Sequence, residues 1–303
     1  MPGGRVLVTG RHGFTGRYLA KELEQSGWEV WGVGASAALE EDPRYFQADL
    51  TNRESLENAI AKIQPDAVIH LAAIAFIAHG AAEDFYRVNV IGTRCLLDIL
   101  AASGMANDGV VLASSANVYG NSTVIPITES APPAPINDYA VSKLAMEHMA
   151  RLFLDKLPIV IARPFNYTGL GQAKEFLVPK IVSHFRDRRT EIELGNLDVS
   201  RDFSDVRDVA RAYSDLLHFA PPGEVFNVCS GKATALQDVI DMCQKITGHD
   251  ICVSVNPDFV RSNEVKTLKG DPSRLDELSR HSERRNFYQT LEWMLNEADI
   301  SRV

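Results

Sequence analysis

Tyr139 and Lys143 stand four residues apart in the run Asn137-Asp138-Tyr139-Ala140-Val141-Ser142-Lys143. Pro132, Pro133 and Pro135 close a loop just before them, and an amphipathic run over 144–154 follows. The pair is therefore expected near the start of a helix and on one of its faces. A tyrosine hydroxyl ordinarily titrates near pH ~10 and exchanges protons poorly at neutral pH. An ammonium a few ångströms away favours the phenolate and is expected to lower that value. Such a pair can pass a proton to or from a hydroxyl or carbonyl. On the spacing alone a surface Tyr and a surface Lys are the better reading, so the surrounding elements must decide.

The first of these elements is at the N-terminus. Val6-Leu7-Val8 reads as a short strand, Gly10-Arg11-His12-Gly13-Phe14-Thr15-Gly16 as a glycine loop, and the stretch to residue 25 as a helix. In that context backbone N–H groups can approach a pyrophosphate, and the helix N-terminus adds favourable partial charge. The spacing is G-x-x-G-x-x-G rather than the commoner G-x-G-x-x-G. The second strand, 28–33, ends in Gly34-Ala35-Ser36 and meets no carboxylate until Glu40. An acidic residue there would bond the ribose 2′-hydroxyl of NAD. Arg11 can instead face a 2′-phosphate, which leans towards NADPH and leaves NADH open.

The alternation continues. A strand over 45–50 contains Asp49, a partner for an adenine amino group or a residue of a helix N-cap region. A strand over 67–71 runs into Ala72 and Ala73, whose small side chains leave space for a cofactor. A long helix is expected over 85–102, a strand over 110–113 ending in Ser114-Ser115, and a strand over 159–162 ending in Arg163-Pro164-Phe165-Asn166. Strands and helices of this length in alternation predict an α/β fold, with a Rossmann-type doubly wound parallel sheet. Beyond it the alternation fades into a smaller C-terminal substrate-binding lobe. The expected division is 1–163 for the dinucleotide-binding domain and mainly 164–303 for the second lobe, with 205–230 returning to the first.

With 303 residues the chain can build one large or two modest domains. A net charge of −9 argues against nucleic-acid backbones as partners. No apolar run approaches ~18 residues, so no membrane partner is expected. The opening Met1-Pro2-Gly3-Gly4-Arg5 leads straight into a strand, so no signal peptide is expected. Cys95, Cys229, Cys243 and Cys252 form no C-x-x-C pair, so reduced thiols, a cytoplasmic location and no metal site are expected.

Four features stand in order: the N-terminal glycine loop, His70-Leu71-Ala72-Ala73, Ser115 after the fifth strand, and Tyr139-x-x-x-Lys143. Together they resemble the extended short-chain dehydrogenase/reductase family, which acts largely on nucleotide sugars. Several stretches of the second half resemble the branch handling GDP-linked 6-deoxyhexoses. These are Arg163-Pro164-Phe165-Asn166-Tyr167-Thr168-Gly169, Ser200-Arg201-Asp202-Phe203, Phe226-Asn227-Val228-Cys229-Ser230-Gly231 and Arg261-Ser262-x-Glu264-Val265.

That resemblance implies reduction, with NADPH or NADH, of the C4 ketone of a GDP-linked 4-keto-6-deoxyhexose. The substrate would be GDP-4-dehydro-6-deoxy-D-mannose and the product GDP-D-rhamnose or its C4 epimer. It implies that Ser115, Tyr139 and Lys143 are catalytic, Lys143 also bonding the nicotinamide ribose. Gly10, Gly13 and Gly16 would cradle the pyrophosphate, with Arg11, Phe14 and Thr15 beside them. Asp49 and Leu50 would flank the adenine, and Leu71, Ala72, Ala73 and Pro164 would line the rest of the cofactor. Arg201 and Arg261 suit the sugar-nucleotide pyrophosphate because guanidinium forks match phosphate oxygens. Lys180 would support them, while Asn166 and Glu264 would bond the substrate. The alternatives are a nucleotide-sugar 4-epimerase and a GDP-mannose 4,6-dehydratase. A dehydratase needs acid–base groups just after Ser115, where this chain has Ala116 and Asn117. The family also implies a homodimer built on a four-helix bundle.

Overall fold

The computed structural model describes residues 3–38, 42–75, 81–260, 264–278 and 283–297. The chain runs β1 (Arg5–Thr9), α1 (Phe14–Gln25), β2 (Glu29–Gly34), β3 (Tyr45–Gln47), α2 (Arg53–Ile63), β4 (Ala67–His70), α3 (Ala82–Tyr86), α4 (Thr93–Ser103), β5 (Gly109–Ala113), α5 (Asp138–Ala150) and β6 (Ile159–Pro164). It continues with β7 (Asn166–Thr168), α6 (Leu177–Arg186), β8 (Glu191–Leu194), β9 (Ser200–Asp205), α7 (Val206–Phe219) and β10 (Val225–Val228). The chain then forms β11 (Ala233–Ala235), α8 (Leu236–Thr247), β12 (Cys252–Val255), β13 (Thr267–Leu268), α9 (Ser273–Leu278) and α10 (Phe287–Asn296).

Seven strands form one sheet in the order β10-β6-β5-β4-β1-β2-β3. Every pairing in it is parallel. Side chains alternate across a strand, so neighbours feed opposite cores. Leu7, Val68, Val110 and Leu112 pack on one face against α2, α4 and α5. Val6, Val8, Ile69 and Val111 pack on the other against α1 and α7. β9 instead pairs with β7, β11 and β13 away from this sheet, and β8 pairs with β12. A separate core of α6, α8 and α10 side chains, including Ile181, Phe185, Val239 and Leu291, underlies that region.

The structure corrects three local expectations. The helix expected over 85–102 is broken into α3, a π-helical segment Arg87–Gly92 and α4. A π segment shifts the phase of the helix face, and here it carries Asn89 into the interior, 1% exposed. The helix expected through 154 ends at Ala150 and passes into a 3-10 turn, Arg151–Phe153. The strand expected over 45–50 covers only Tyr45–Gln47, because Asp49 folds into a turn on Thr51 and Asn52 caps α2.

Candidate active site

Strand order reverses between β1 and β4, so the loops leaving their carboxyl ends diverge and open a crevice. Gly10 leaves β1 and Leu71 leaves β4. Gly10 adopts φ +73°, and a Cβ there would lie 3.2 Å from the Ala72 nitrogen. A Cβ on Gly16 would run into the Gly10 carbonyl oxygen. Both positions therefore require glycine. Gly13 is the N-cap of α1 and supplies no side-chain cap, and a Cβ there would meet only the Gly10 carbonyl oxygen within 4 Å. A helix N-terminus left open in this way fits a dinucleotide pyrophosphate.

A buried relay holds the crevice floor. Ala72 N–H donates to Thr9 Oγ1 at 3.1 Å, Thr9 Oγ1 meets His70 Nδ1 at 2.7 Å, and His70 Nε2 meets Thr93 Oγ1 at 2.9 Å. Thr93 Oγ1 donates onward to the Asn89 carbonyl at 2.8 Å. Since Thr93 gives its proton to that carbonyl, His70 carries its hydrogen on Nε2 and accepts on Nδ1. Burial pulls the His70 pKa down to about 3, with the Lys143 charge acting in the same direction, so the ring stays neutral. Asn89 then holds both backbone groups of Ile74 and donates to Ser142 Oγ at 3.0 Å. Ser142 Oγ donates to the Tyr139 carbonyl at 2.8 Å, which ties the relay to α5.

Asn137 caps α5 by accepting from Ala140 N–H at 2.9 Å. Tyr139 and Lys143 follow on its inner face, both buried. The Ser115 side chain, beyond the end of β5, lies against the Tyr139 hydroxyl. Lys143 Nζ donates to the Ala113 carbonyl at 2.8 Å. The structure brings these three residues together. It also corrects the expected electrostatics: the Tyr139 pKa is raised, to about 12. Burial is the main cause, the Ser115 hydrogen bond lowers it, and Tyr167 raises it further. Burial likewise pulls Lys143 down to about 8, with Glu147 raising it. Desolvation thus outweighs attraction, and each buried group is pushed towards its neutral form.

Tyr167 was not singled out by the sequence, although it lies in the strand after Asn166. Its hydroxyl bonds Thr15 Oγ1 at 2.9 Å and its ring stacks on Phe14, centroids 6.1 Å apart. It therefore joins β7 to the start of α1, beside Tyr139. A tyrosine in a short strand after an X-Pro-X-Asn run carries no spacing signal of its own.

At the outer end of the loop, Arg11 does not stand free. Its Nη1 donates to Asp42 Oδ2 at 2.8 Å, and His12 Nε2 lies 3.1 Å from the same oxygen. His12 stacks on Tyr45 with centroids 4.0 Å apart. Glu40 lies outside the described residues. Asp42 is the carboxylate the sequence reading missed, because it follows β2 by eight positions and returns through a loop. Asp49 is exposed and accepts from Thr51 N–H and Oγ1, both at 2.8 Å, which hold its carboxyl below the usual range. The Leu50 side chain packs in the core beside Gly92.

Pro164 ends β6, and Asn166 is exposed at the start of β7. Arg201, on β9, pairs with Glu264. Its own neighbours are engaged elsewhere: Asp202 accepts from Ser230, Gly231 and Gly270, and Asp205 binds Arg207 and Thr290. Lys180 donates to the Glu193 carbonyl at 2.7 Å and lies over the Phe259 ring, 4.4 Å from its centroid. Arg261 lies outside the described residues. Among the described residues, no group of three or more His, Cys, Asp or Glu is placed to hold a metal ion. No described helix is long and apolar enough to cross a membrane.

Residues 6–229 match the family described as the NAD dependent epimerase/dehydratase family. The chain is 37% identical over 272 residues to GDP-6-deoxy-D-talose 4-dehydrogenase of Aggregatibacter actinomycetemcomitans, covering 89% of this chain and 90% of that one. It is 33% identical over 282 residues to GDP-6-deoxy-D-mannose reductase of Pseudomonas aeruginosa, covering 89% of each. The structure of RMD from Pseudomonas aeruginosa complexed with NADPH superposes with a TM-score of 0.84 at 30% identity, over 96% of this chain and 98% of that one.

Proposed function

This chain belongs to the NAD dependent epimerase/dehydratase family, whose extended short-chain dehydrogenase/reductase members are NAD(P)-dependent enzymes, and we propose that it reduces the C4 ketone of GDP-4-dehydro-6-deoxy-D-mannose. D-talose and D-mannose differ only at C4, so oxidation at C4 of either relative's named sugar leads to one ketone. The product is then GDP-D-rhamnose or its C4 epimer. Reaction at C4 of a GDP-linked 6-deoxyhexose accounts for both relatives at once.

The observation that supports reduction is the buried Tyr139 hydroxyl with the Ser115 side chain against it, one helical turn from Lys143 on α5. A bound nicotinamide supplies the hydride. Tyr139 keeps its proton across the neutral range, which is the state a ketone reduction needs. As negative charge grows on the C4 oxygen, Tyr139 donates that proton and Ser115 holds the oxygen in place. Lys143, one helical turn on, faces the phenolate left behind and bonds the nicotinamide ribose. Gly10, Gly13 and Gly16, with Phe14 and Thr15, seat the pyrophosphate of NADPH or NADH. Leu71, Ala72, Ala73 and Pro164 line the path between the adenine and nicotinamide ends.

We assign the sugar nucleotide to the region of β7 to β9 and the segment before β13. Arg201 meets its diphosphate and Glu264 orients Arg201, with Asn166, Lys180 and Arg261 as further contacts. Ala116 and Asn117 after Ser115 offer no acid–base pair, which counts against dehydration at C5 and C6.

A homodimer through α4, α5 and their copies fits the apolar side chains left in solvent on the π segment before α4 and the 3-10 turn after α5. Ile91 is 57% exposed and Leu152 69% exposed. Light scattering at micromolar concentration should report twice the chain mass of 33.4 kDa, and Ile91→Arg should halve it. A single-chain mass for the wild type contradicts the dimer. The four cysteines are unpaired, which suits a reducing, cytoplasmic compartment.

The reaction is tested by incubating GDP-4-dehydro-6-deoxy-D-mannose with NADPH or NADH and reading the product by proton NMR. One new H4 signal, with the large coupling of an axial proton or the small coupling of an equatorial one, identifies the rhamno or talo alcohol. Recovery of unchanged ketone contradicts the assignment.

A further inference from the structure

Three consecutive residues leaving β5 engage three residues of α5 spaced four apart. Ser115 lies against the Tyr139 hydroxyl, the Ala113 carbonyl accepts from Lys143, and Ser114 Oγ donates to Glu147 Oε1 at 2.5 Å. The third rung is anchored from behind. Arg163, on β6, donates from Nε to Glu147 Oε1 at 2.9 Å and from Nη2 to Oε2 at 2.6 Å. This ion pair is almost fully buried, with side chains 6% and 3% exposed. Arg163 is itself fixed: Nη1 donates to the Tyr119 hydroxyl at 2.9 Å, and Tyr119 donates to Asn227 Oδ1 on β10 at 2.7 Å. Four elements thus converge to hold one carboxylate a single helical turn beyond Lys143.

We propose that Glu147 is a positioning residue for the Tyr139–Lys143 pair, holding α5 in register with β5 and presenting to Lys143 the buried negative charge it faces. A buried ion pair is a poor source of net stability, because desolvation offsets the attraction. Its geometry fits register and charge placement better. On its own helix Lys143 has Tyr139 one turn before it and Glu147 one turn after, with the neutral His70 from β4 and the Ala113 carbonyl from β5. Arg163 approaches from β6 behind Glu147. Glu147 is the charged group among them that favours the ammonium, against the burial that disfavours it.

The inference rests on the assignment of Lys143 to the nicotinamide ribose, and its test needs no sugar. The readout is the affinity of the purified protein for NADPH across pH 7–10, from the fluorescence of the bound nicotinamide. The wild type should lose affinity along an alkaline limb as Lys143 deprotonates. In Glu147→Gln that limb should move down by about one pH unit or more, since a glutamine keeps the Ser114 hydrogen bond and removes the charge. Glu147→Gln leaves Arg163 buried without its partner and can fail to fold. Glu147→Gln/Arg163→Met removes both charges, keeps the volume, and should show a smaller shift in the same downward direction, because the lost Arg163 charge lies farther from Lys143 and acts the other way. A folded double variant whose limb stays at the wild-type position overturns the proposal, because a merely structural carboxylate would leave it there. A wild-type affinity flat across this range also overturns it. A wrong sugar assignment leaves this titration untouched and shows only as absent turnover.

Discussion

Thr9 Oγ1 and His70 Nδ1 meet at 2.7 Å, joining the carboxyl ends of β1 and β4 on either side of the point where strand order reverses. Thr9 also receives the Ala72 N–H, so a single hydroxyl fixes both walls of the crevice. Thr9→Val keeps the shape and leaves the Ala72 N–H and His70 Nδ1 without partners. Each buried group so stranded costs about 1–3 kcal/mol. Thr9→Val should therefore lose roughly 2–6 kcal/mol in urea unfolding. An unchanged midpoint would show that the relay does not hold the crevice.

The pH dependence of reduction should follow Lys143 rather than Tyr139. Tyr139, raised to about 12, stays protonated at every working pH. Lys143, lowered to about 8, loses its charge as pH rises through that value, and the reduction rate should fall with it. Stability moves the opposite way. The folded pKa lies below the unfolded value of 10.5, so the unfolded chain binds more protons between the two. The penalty of the buried charge is full below about 8 and is relieved as pH rises towards 10.5. A pH–rate profile set beside unfolding measured over pH 7–10 checks both signs. Lys143→Met should abolish the alkaline limb along with most of the activity.

Asp42 faces Arg11 and His12 at the site expected for the adenosine ribose. Its carboxylate disfavours a 2′-phosphate and occupies the cation that would bind one. Asp42→Asn should raise the NADPH-over-NADH preference in kcat/KM by about tenfold, roughly one charge interaction near a surface. Steady-state rates with each cofactor decide it, and an unchanged ratio removes Arg11 from the specificity account.

Arg201, on β9, and Glu264 lie 63 positions apart and form an ion pair. Arg201→Ala should raise the KM for the sugar nucleotide by about tenfold or more, with kcat changed far less, because a phosphate clamp contributes binding before reaction. Glu264→Gln should show a smaller rise, since it only orients the guanidinium. A fall in kcat at unchanged KM would place Arg201 elsewhere.

The sheet was legible because β1, β4, β5 and β6 are continuous apolar runs, as strands buried on both faces must be. The cluster of Ser115, Tyr139 and Lys143 was legible through spacing and order. What the sequence hid came from residues that act through folding back. Asp42 meets Arg11 across 31 positions. Tyr167 reaches Thr15 across 152 positions. The π segment that turns Asn89 inward leaves no trace in an apolar pattern that reads as one helix. The direction of the Tyr139 shift was missed for a physical reason: i, i+4 spacing predicts attraction to Lys143, while the depth of burial, which dominates, is a property of the assembled site.

The most direct measurement is absorbance at 340 nm with purified protein, GDP-4-dehydro-6-deoxy-D-mannose and NADPH or NADH. A reductase should consume one cofactor per ketone, and Tyr139→Phe should abolish the signal by removing the proton donor. A stable absorbance, with dinucleotide still bound to the purified protein, would contradict the account and favour a 4-epimerase that regenerates its own cofactor.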